Sequence, residues 1–443
     1  NFTATIKVIV WKDENKINEI IMGAKSYFNR VGIIVIILGI ILSFGIMFFI
    51  NDTTISAWYI KICFILFIIS GACSYFTSTH ALIYEAEQKL YKSSNLNHLL
   101  SIFESIGAII IAILGGKLLT ILTAFLIMSI IKNIILVLNS RKDHKYLKKV
   151  STKDESFKKE TNNLIINKIN TLIFENVDII LISKFLGLAP VFIYTVYNQV
   201  ISMLTQMVQR LNSALIPSIG NLLVTEKEKS KTTFVELNSF LFYIGSLLFV
   251  PLFYMISPFI CNWYGNQYAL GKIVSLLFSM ILYINIIKIS LDTYIKASGE
   301  FKSARNCAIY QSITNLVLSL LLIQKFQIAG VLFATVFTFI TGNFIHYPRI
   351  ISKKIINDKT INYYKKCIKY LIGLMFNVGV CYFISNLFDN SSLLMWFINS
   401  SIIFVINFLL TTLYYYFTKE MLFIERLKFL LKSRNKKEKI KNS

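Results

Sequence analysis

The chain of 443 residues is too apolar for a set of soluble domains, because 55% of its residues are hydrophobic and 16% are charged, with a mean hydropathy of +0.61. Its formal net charge is +23, from 46 Lys and Arg against 23 Asp and Glu. On a soluble protein this excess would favour nucleic-acid binding. The positions of the charges along the chain therefore have to decide whether they serve a nucleic-acid partner or the membrane topology. The composition predicts a polytopic membrane protein without a sizeable soluble domain.

Apolar runs long enough to cross a bilayer as helices follow one another along the chain. They lie at 31–50, 60–82, 99–116, 118–138, 164–186, 189–220, 237–256, 273–295, 306–323, 328–349, 370–387 and 393–417. The predicted fold class is therefore all-α, a polytopic membrane protein with twelve transmembrane helices. The run at 189–220 exceeds the hydrocarbon thickness, so it must tilt, kink or protrude, and Pro217 is its candidate kink.

Basic residues concentrate in alternate connections. The other connections hold at most one lysine at each end: Lys61, Lys117, Lys184, Lys272 and Lys325. The positive-inside rule then predicts that both termini of this chain are cytoplasmic. Because the charge follows the membrane topology and no aromatic-interleaved basic patch accompanies it, no nucleic-acid partner is expected, and membrane lipids are.

The sequence has no motif that is typical of a metal or cofactor site. The six cysteines are scattered singly without a C-x-x-C pair, and the four histidines are dispersed. A phosphate-cradling glycine loop is also missing. We expect no metal site, no cofactor and no disulfide.

Charged groups inside the apolar runs are the most informative residues, since each costs several kcal/mol unless it faces a partner or a wet cavity. Polar residues recur at helical spacing on the fifth run, at Asn167, Asn170, Thr171, Glu175 and Asp178. A second polar stripe follows the sixth run, at Tyr194, Asn198, Ser202, Thr205, Gln209 and Ser213. Both stripes are expected to face one cavity.

Depth separates the acidic from the basic candidates. Counted down from the tight turn Gly187 to Pro190 at 1.5 Å per residue, Asp178 lies about 12 Å deep and Glu175 about 17 Å, near the midplane and level with Tyr197. Arg210 lies about 31 Å down, too deep to pair directly with Asp178. Asp178 and Glu175 are thus the candidates for coupling to H⁺ or Na⁺.

The remaining candidates complete the predicted pathway. Basic side chains for its inner mouth are Arg210, Lys168 and Lys288, and cavity-lining candidates are Asn170, Tyr197, Asn198, Gln209, Asp292 and Glu104. Some of these residues have a structural explanation as an alternative to a role in transport. Lys288 and Asp292 are spaced for an i, i+4 ion pair. Glu104 lies close enough to the inner surface to snorkel.

Three stretches resemble one family: FENVDIILISKFLGLAPVFIYTVYNQV (174–200), RLNSALIPSIGNL (210–222) and ASGEFKSARNCAIYQSITNLVLSLLLIQKFQIAGVLFATVFTF (297–339). They are similar to parts of the Wzx-type polysaccharide and O-antigen flippases of the multidrug/oligosaccharidyl-lipid/polysaccharide exporter superfamily. The resemblance implies fourteen helices in two six-helix lobes plus two more. Four predicted helices precede residue 174 where the family has six, so the chain is expected to correspond to helices 3–14 and to lack the first two.

On that basis the chain divides into segments with expected roles. They are a cytoplasmic N-terminal connection (1–30), four helices of the N-lobe (31–138), a cytoplasmic inter-lobe loop (139–163), a six-helix C-lobe (164–350), two further helices (351–417) and a basic cytoplasmic tail (418–443). The resemblance implies a monomer in the bacterial cytoplasmic membrane.

The function implied by the resemblance is transport by alternating access rather than catalysis. The substrate would be a prenyl-pyrophosphate-linked oligosaccharide for O-antigen, capsule, lipopolysaccharide or another surface polysaccharide, with its pyrophosphate near Arg210, Lys168 and Lys288. A polysaccharide polymerase and glycosyltransferases are the implied protein partners. Two alternatives stay open: a multidrug or metabolite antiporter of the same superfamily, and a membrane polysaccharide polymerase or glycosyltransferase.

Overall fold

A computed structural model describes residues 14–50, 55–87, 89–146, 176–213, 216–387 and 390–422. These ranges are helical with short turns and contain no strand, and ten helical stretches are long and apolar enough to cross a membrane. Two of the predicted runs merge in the stretch Ala304–Ile355, and the predicted run at 164–186 lies mostly outside the described residues. The chain is therefore an all-α multi-pass membrane protein, as its composition predicted.

Two compact units divide the chain, residues 1–176 and 177–443. The helices of unit 1 are α1 (Glu14–Gly45), α2 (Ala57–Ala72), α3 (Ser78–Ala86), α4 (Leu90–Ile113) and α5 (Leu118–Asp143). In this unit α5 packs against α2 and α4, and α1 packs against α2. Helix α1 begins well before the apolar run at 31, inside the segment predicted as a connection, and its Asn18 side chain donates to the Tyr146 carbonyl at 3.0 Å.

Unit 2 is organised around one buried helix. Its helices are α6 (176–186, from the last residue of unit 1), α7 (Leu188–Ser213), α8 (Ile216–Thr225), α9 (Lys227–Tyr264), α10 (Lys272–Ser298), α11 (Phe301–Thr341), α12 (Asn343–Ile350), α13 (Thr360–Ser385) and α14 (Leu393–Phe417). Helix α10 packs against α7, α8, α9 and α11, while α13 and α14 pack against α9. This core buries the large side chains of Phe278, Leu282 and Tyr294 completely.

Helix α11 is a hairpin of two limbs that turn at Gln327. The φ/ψ of this residue is 50°/−133°, a non-helical conformation that reverses the chain direction. A Cβ on Gly330 would lie 2.6 Å from the Leu322 carbonyl oxygen, so glycine allows the limbs to approach closely beside the turn. The turn accounts for the two runs predicted at 306–323 and 328–349.

The long run predicted at 189–220 is helical on both sides of a gap in the described residues. Helix α7 ends at Ser213 and α8 begins at Ile216, with residues 214 and 215 outside the described ranges. Pro217 is the second described residue after this gap. The kink predicted at Pro217 stays a prediction.

Several basic residues of unit 2 lie close together at one end of its long helices. At this end, which we call the basic end, Lys231 pairs with Asp358 at 3.3 Å and Lys354 with Glu300 at 3.0 Å. Beyond α14, Glu420 accepts hydrogen bonds at this end from three side chains: Lys366 (3.2 Å), Lys369 (2.8 Å) and Tyr370 (2.8 Å). Burial raises the pKa of Glu420, but the bonds from Lys369 and Tyr370 outweigh burial and hold that pKa below its usual value.

Candidate functional site

Asp178 lies in the interior of unit 2, with 7% of its surface exposed. Its Oδ2 accepts a hydrogen bond from Tyr194 Oη at 3.2 Å and another from Thr335 Oγ1 at 3.2 Å. A carboxylate in an apolar membrane segment is costly unless such partners stabilise it. Asp178 is thus a buried carboxylate that two hydroxyl groups stabilise within an apolar segment.

Two turns bring these three residues to the same depth. Gly187, with φ of 95°, reverses the chain between α6 and α7. At 1.5 Å per residue, Asp178 lies about 13 Å before that turn and Tyr194 about 10 Å after it. Thr335 lies about 12 Å beyond the second turn, at Gln327, on the second limb of α11. The shared depth explains how two hairpins distant in sequence meet at one carboxylate.

The first limb of α11 extends the polar contacts. Asn315 Nδ2 donates to Thr335 Oγ1 at 3.1 Å, so a directed chain of hydrogen bonds runs from Asn315 through Thr335 to Asp178. Asn315 is 1% exposed, and Ser319, one turn further along the same face, is fully buried. One turn before it, Gln311 Nε2 donates to the Thr338 carbonyl at 3.3 Å.

Several oxygen atoms beside this chain have no hydrogen-bond partner among the described residues. They are Asp178 Oδ1, Asn315 Oδ1 and Ser319 Oγ, all buried. Buried polar atoms are normally satisfied by protein, water or an ion, so these atoms identify the place where a bound species would be stabilised. With one carboxylate and neutral oxygen donors, the group can hold a proton on Asp178 or a small cation beside it.

Tyr197, a predicted cavity-lining residue, is fully buried in the core. Its hydroxyl contacts Ser257 Oγ at 2.9 Å and accepts from the Leu270 backbone N–H at 2.9 Å, while its ring stacks on Phe278 with centroids 5.2 Å apart. These contacts fix α7 against α9 and α10. In this conformation Tyr197 is a packing residue, and its cavity-lining role stays a prediction.

The other candidates of α7 and α10 are more exposed. Gln209 and Arg210 are exposed and Asn198 is half-buried. On α10, Lys288 Nζ lies 3.9 Å from Asp292 Oδ2, and both side chains are about one third exposed, so the ion pair predicted from their spacing is present. The two partners recorded for Asp178 are hydroxyls, in agreement with the predicted separation of Asp178 from Arg210.

Glu104 of unit 1 has a close basic partner. It forms an ion pair with Lys132 of α5, and Lys132 also donates to Ser101 Oγ at 3.0 Å. The pair neutralises both charges within the apolar segments, which gives Glu104 a structural role by itself. Three further candidates, Lys168, Asn170 and Glu175, lie outside the described residues.

Sequence reasoning identified Asp178 but missed the contributions of Asn315, Ser319 and Thr335. The available signal was local: Asn315 and Ser319 are polar residues four apart within the apolar run at 306–323. That spacing predicts one shared helix face. The meeting of this face with Asp178 depends on how α6, α7 and α11 pack, which spacing does not encode.

Comparison with known proteins finds a similar structure but no matching sequence. No family model and no curated protein sequence matches the chain. The structure is similar to the solved structure of the lipid II flippase MurJ in an inward closed conformation, with a TM-score of 0.71 over 94% of this chain and 87% of that chain. Because the sequences are 14% identical, the similarity shows that the two proteins share a fold.

Proposed function

We propose that this protein is a flippase that moves a lipid-linked oligosaccharide across the bacterial cytoplasmic membrane for the synthesis of a surface polysaccharide. The observation that carries the proposal is the fold, which is shared with a lipid II flippase along 94% of the chain. The stretches that resemble Wzx-type flippases support the finer assignment to a prenyl-pyrophosphate-linked substrate for O-antigen, capsule or lipopolysaccharide. Both termini of this chain are then cytoplasmic, and the protein acts as a monomer beside a polymerase and glycosyltransferases.

Asp178 is the proposed coupling residue. A buried carboxylate is favoured when it takes up a proton or binds Na⁺, because either event removes an uncompensated negative charge from a low-dielectric region. The hydroxyl donors Tyr194 and Thr335 orient Oδ2, and Oδ1 stays available. Ion uptake and release there would bias the lobes between inward-open and outward-open states. Glu175 is the second candidate for this role.

The pyrophosphate of the substrate needs basic groups on the side from which it enters. Arg210 is exposed near the end of α7, and Lys288 is about one third exposed on α10. Together with Lys168, they are the proposed contacts for the anionic group, since charge-assisted bonds to phosphate oxygens are strong. Asn170, Asn198, Gln209 and Asp292 are the proposed lining of the route.

A lipid extraction from cells that lack the gene tests the proposal. We expect a prenyl-pyrophosphate-linked oligosaccharide to accumulate and the surface polysaccharide to be lost, with both changes reversed by a full-length copy. Unchanged lipid intermediates together with altered sensitivity to cationic compounds would instead favour the multidrug antiporter. Loss of the polymer with accumulation of flipped, outward-facing single units would favour the polymerase alternative.

A further inference from the structure

A cavity of about 370 Å³ opens at the basic end of unit 2. It lies between α9, α13 and the connection that precedes α13, and the residues that matter here are Lys231, Phe234, Val235, Tyr363, Lys365 and Lys366. Its volume falls in the range of ligand sites. The polar site around Asp178 does not contribute to its lining.

The lining of this cavity is amphipathic. Phe234, Val235 and the ring of Tyr363 provide an apolar wall, while three lysines surround it. Lys231 pairs with Asp358, and Lys366 pairs with Glu420, whereas Lys365 is exposed and has no recorded ion-pair partner among the described residues.

Asp358 reduces the positive charge at the cavity by one. Burial raises the pKa of Asp358, but hydrogen bonds from the Lys359 backbone N–H and from Lys231 outweigh burial and hold that pKa below its usual value. The carboxylate is therefore ionised at neutral pH and balances Lys231. Glu420 is shared by Lys366 and Lys369 and balances one of these two charges, so the mouth of the cavity stays positively charged through the other and through Lys365.

Tyr363 adds its aromatic ring to the apolar wall, and the residue is 8% exposed. Its hydroxyl is enclosed in the core beside the Cys367 thiol, so the ring and not the hydroxyl is the part of Tyr363 that the cavity offers to a ligand.

We propose that this cavity binds an anionic phospholipid, with its phosphate between the lysines and the start of an acyl chain against the apolar wall. The charge complements a phosphodiester, and the aromatic wall suits a hydrocarbon, which a free phosphate lacks. The basic end is also the end predicted to face the cytoplasm, where anionic headgroups attract basic residues. The site is separate from the proposed substrate route.

Native mass spectrometry of the purified full chain in neutral detergent tests this site with phosphatidylglycerol against phosphatidylcholine. We expect phosphatidylglycerol to bind at least ten-fold more tightly. Lys365→Gln should weaken that binding about five-fold. This factor corresponds to the binding free energy of about 1 kcal/mol that a lysine near an anionic headgroup contributes. The matched control is Lys353→Gln, an exposed lysine at the same end that does not line the cavity.

A second variant tests the apolar wall without changing charge. Val235→Phe fills part of the cavity and should weaken phosphatidylglycerol binding while Lys365 remains in place. Equal binding of the two lipids, or equal losses in Lys353→Gln and Lys365→Gln, would overturn the proposal, because both results describe diffuse surface attraction. Full competition by inorganic phosphate with no effect of Val235→Phe would show a phosphate site instead of a lipid site. None of these readouts requires flippase activity.

Discussion

Replacing Asp178 by asparagine tests the coupling site with the smallest change in shape. The substitution removes the charge but keeps an acceptor oxygen for Tyr194 and Thr335, which both contact Oδ2 at 3.2 Å. Two bonds to a charged group, worth about 1.5–3 kcal/mol each, become neutral bonds of about 0.5–1.5 kcal/mol. The cost of burying an ionised carboxylate, several kcal/mol, disappears at the same time.

These opposing changes leave the fold nearly as stable as before. We therefore expect the thermal unfolding midpoint of Asp178→Asn in detergent to stay within a few degrees of the unsubstituted protein. Transport should fall at least ten-fold, because an amide neither takes up a proton nor offers a full negative charge to Na⁺, and ten-fold corresponds to about 1.4 kcal/mol. Tyr194→Phe removes one donor and should give a smaller loss.

The assay is transport by purified protein in proteoliposomes under an imposed pH or Na⁺ gradient, using lipid-linked oligosaccharide extracted from cells lacking the gene. Glu228→Gln is the matched control, since it makes the same kind of charge change on an exposed side chain at the start of α9. Unchanged transport and gradient dependence in Asp178→Asn would refute the coupling role. A large fall in the unfolding midpoint would refute the energetic reasoning.

Three more substitutions probe other parts of the fold. Glu420→Gln should lower the free energy of unfolding by about 1–3 kcal/mol through weaker bonds from Lys369. Because the folded-state pKa of Glu420 is lowered, this contribution is present above the unfolded value of about 4.3 and is lost as pH falls through the folded value, so unfolding curves of the two proteins should converge in acid. Gln327→Gly should stabilise the hairpin by about 1 kcal/mol in chemical denaturation, since φ of 50° with ψ of −133° suits glycine, and a loss of stability would contradict the strain argument. Lys132→Met should lower the free energy of unfolding by about 1–3 kcal/mol, because it leaves the Glu104 carboxylate unpaired. This loss is smaller than for a fully buried pair, since the two side chains are 16% and 20% exposed. Adding Glu104→Leu to the same chain should restore most of the unfolding midpoint. A restored midpoint without restored transport would show that Glu104 acts in transport beyond its pairing.

The membrane fold follows from features that are local in the sequence. Apolar runs of bilayer length predict membrane-spanning helices, because hydrocarbon thickness and the helix rise are fixed quantities. The distribution of lysines predicts which end of each helix faces the cytoplasm. The tight turn at Gly187 and the spacing of Lys288 and Asp292 are local in the same sense, and both features are present in the structure. Helix ends were less predictable: residues 14–30 already belong to α1, although they precede the apolar run that begins at 31.

Contacts between distant helices were decided by tertiary packing alone. The sequence identifies Asp178 as a costly buried carboxylate, but Thr335 reaches it from 157 residues away through the hairpin at Gln327. The pairing of Glu104 with Lys132 likewise depends on α4 and α5 lying side by side. Helical periodicity determines which face of one helix is polar, whereas the partner of that face depends on how side chains of several helices fit together. The amino-acid sequence by itself thus determined the class of protein and identified Asp178 as a candidate, and the tertiary structure decided which groups surround that carboxylate.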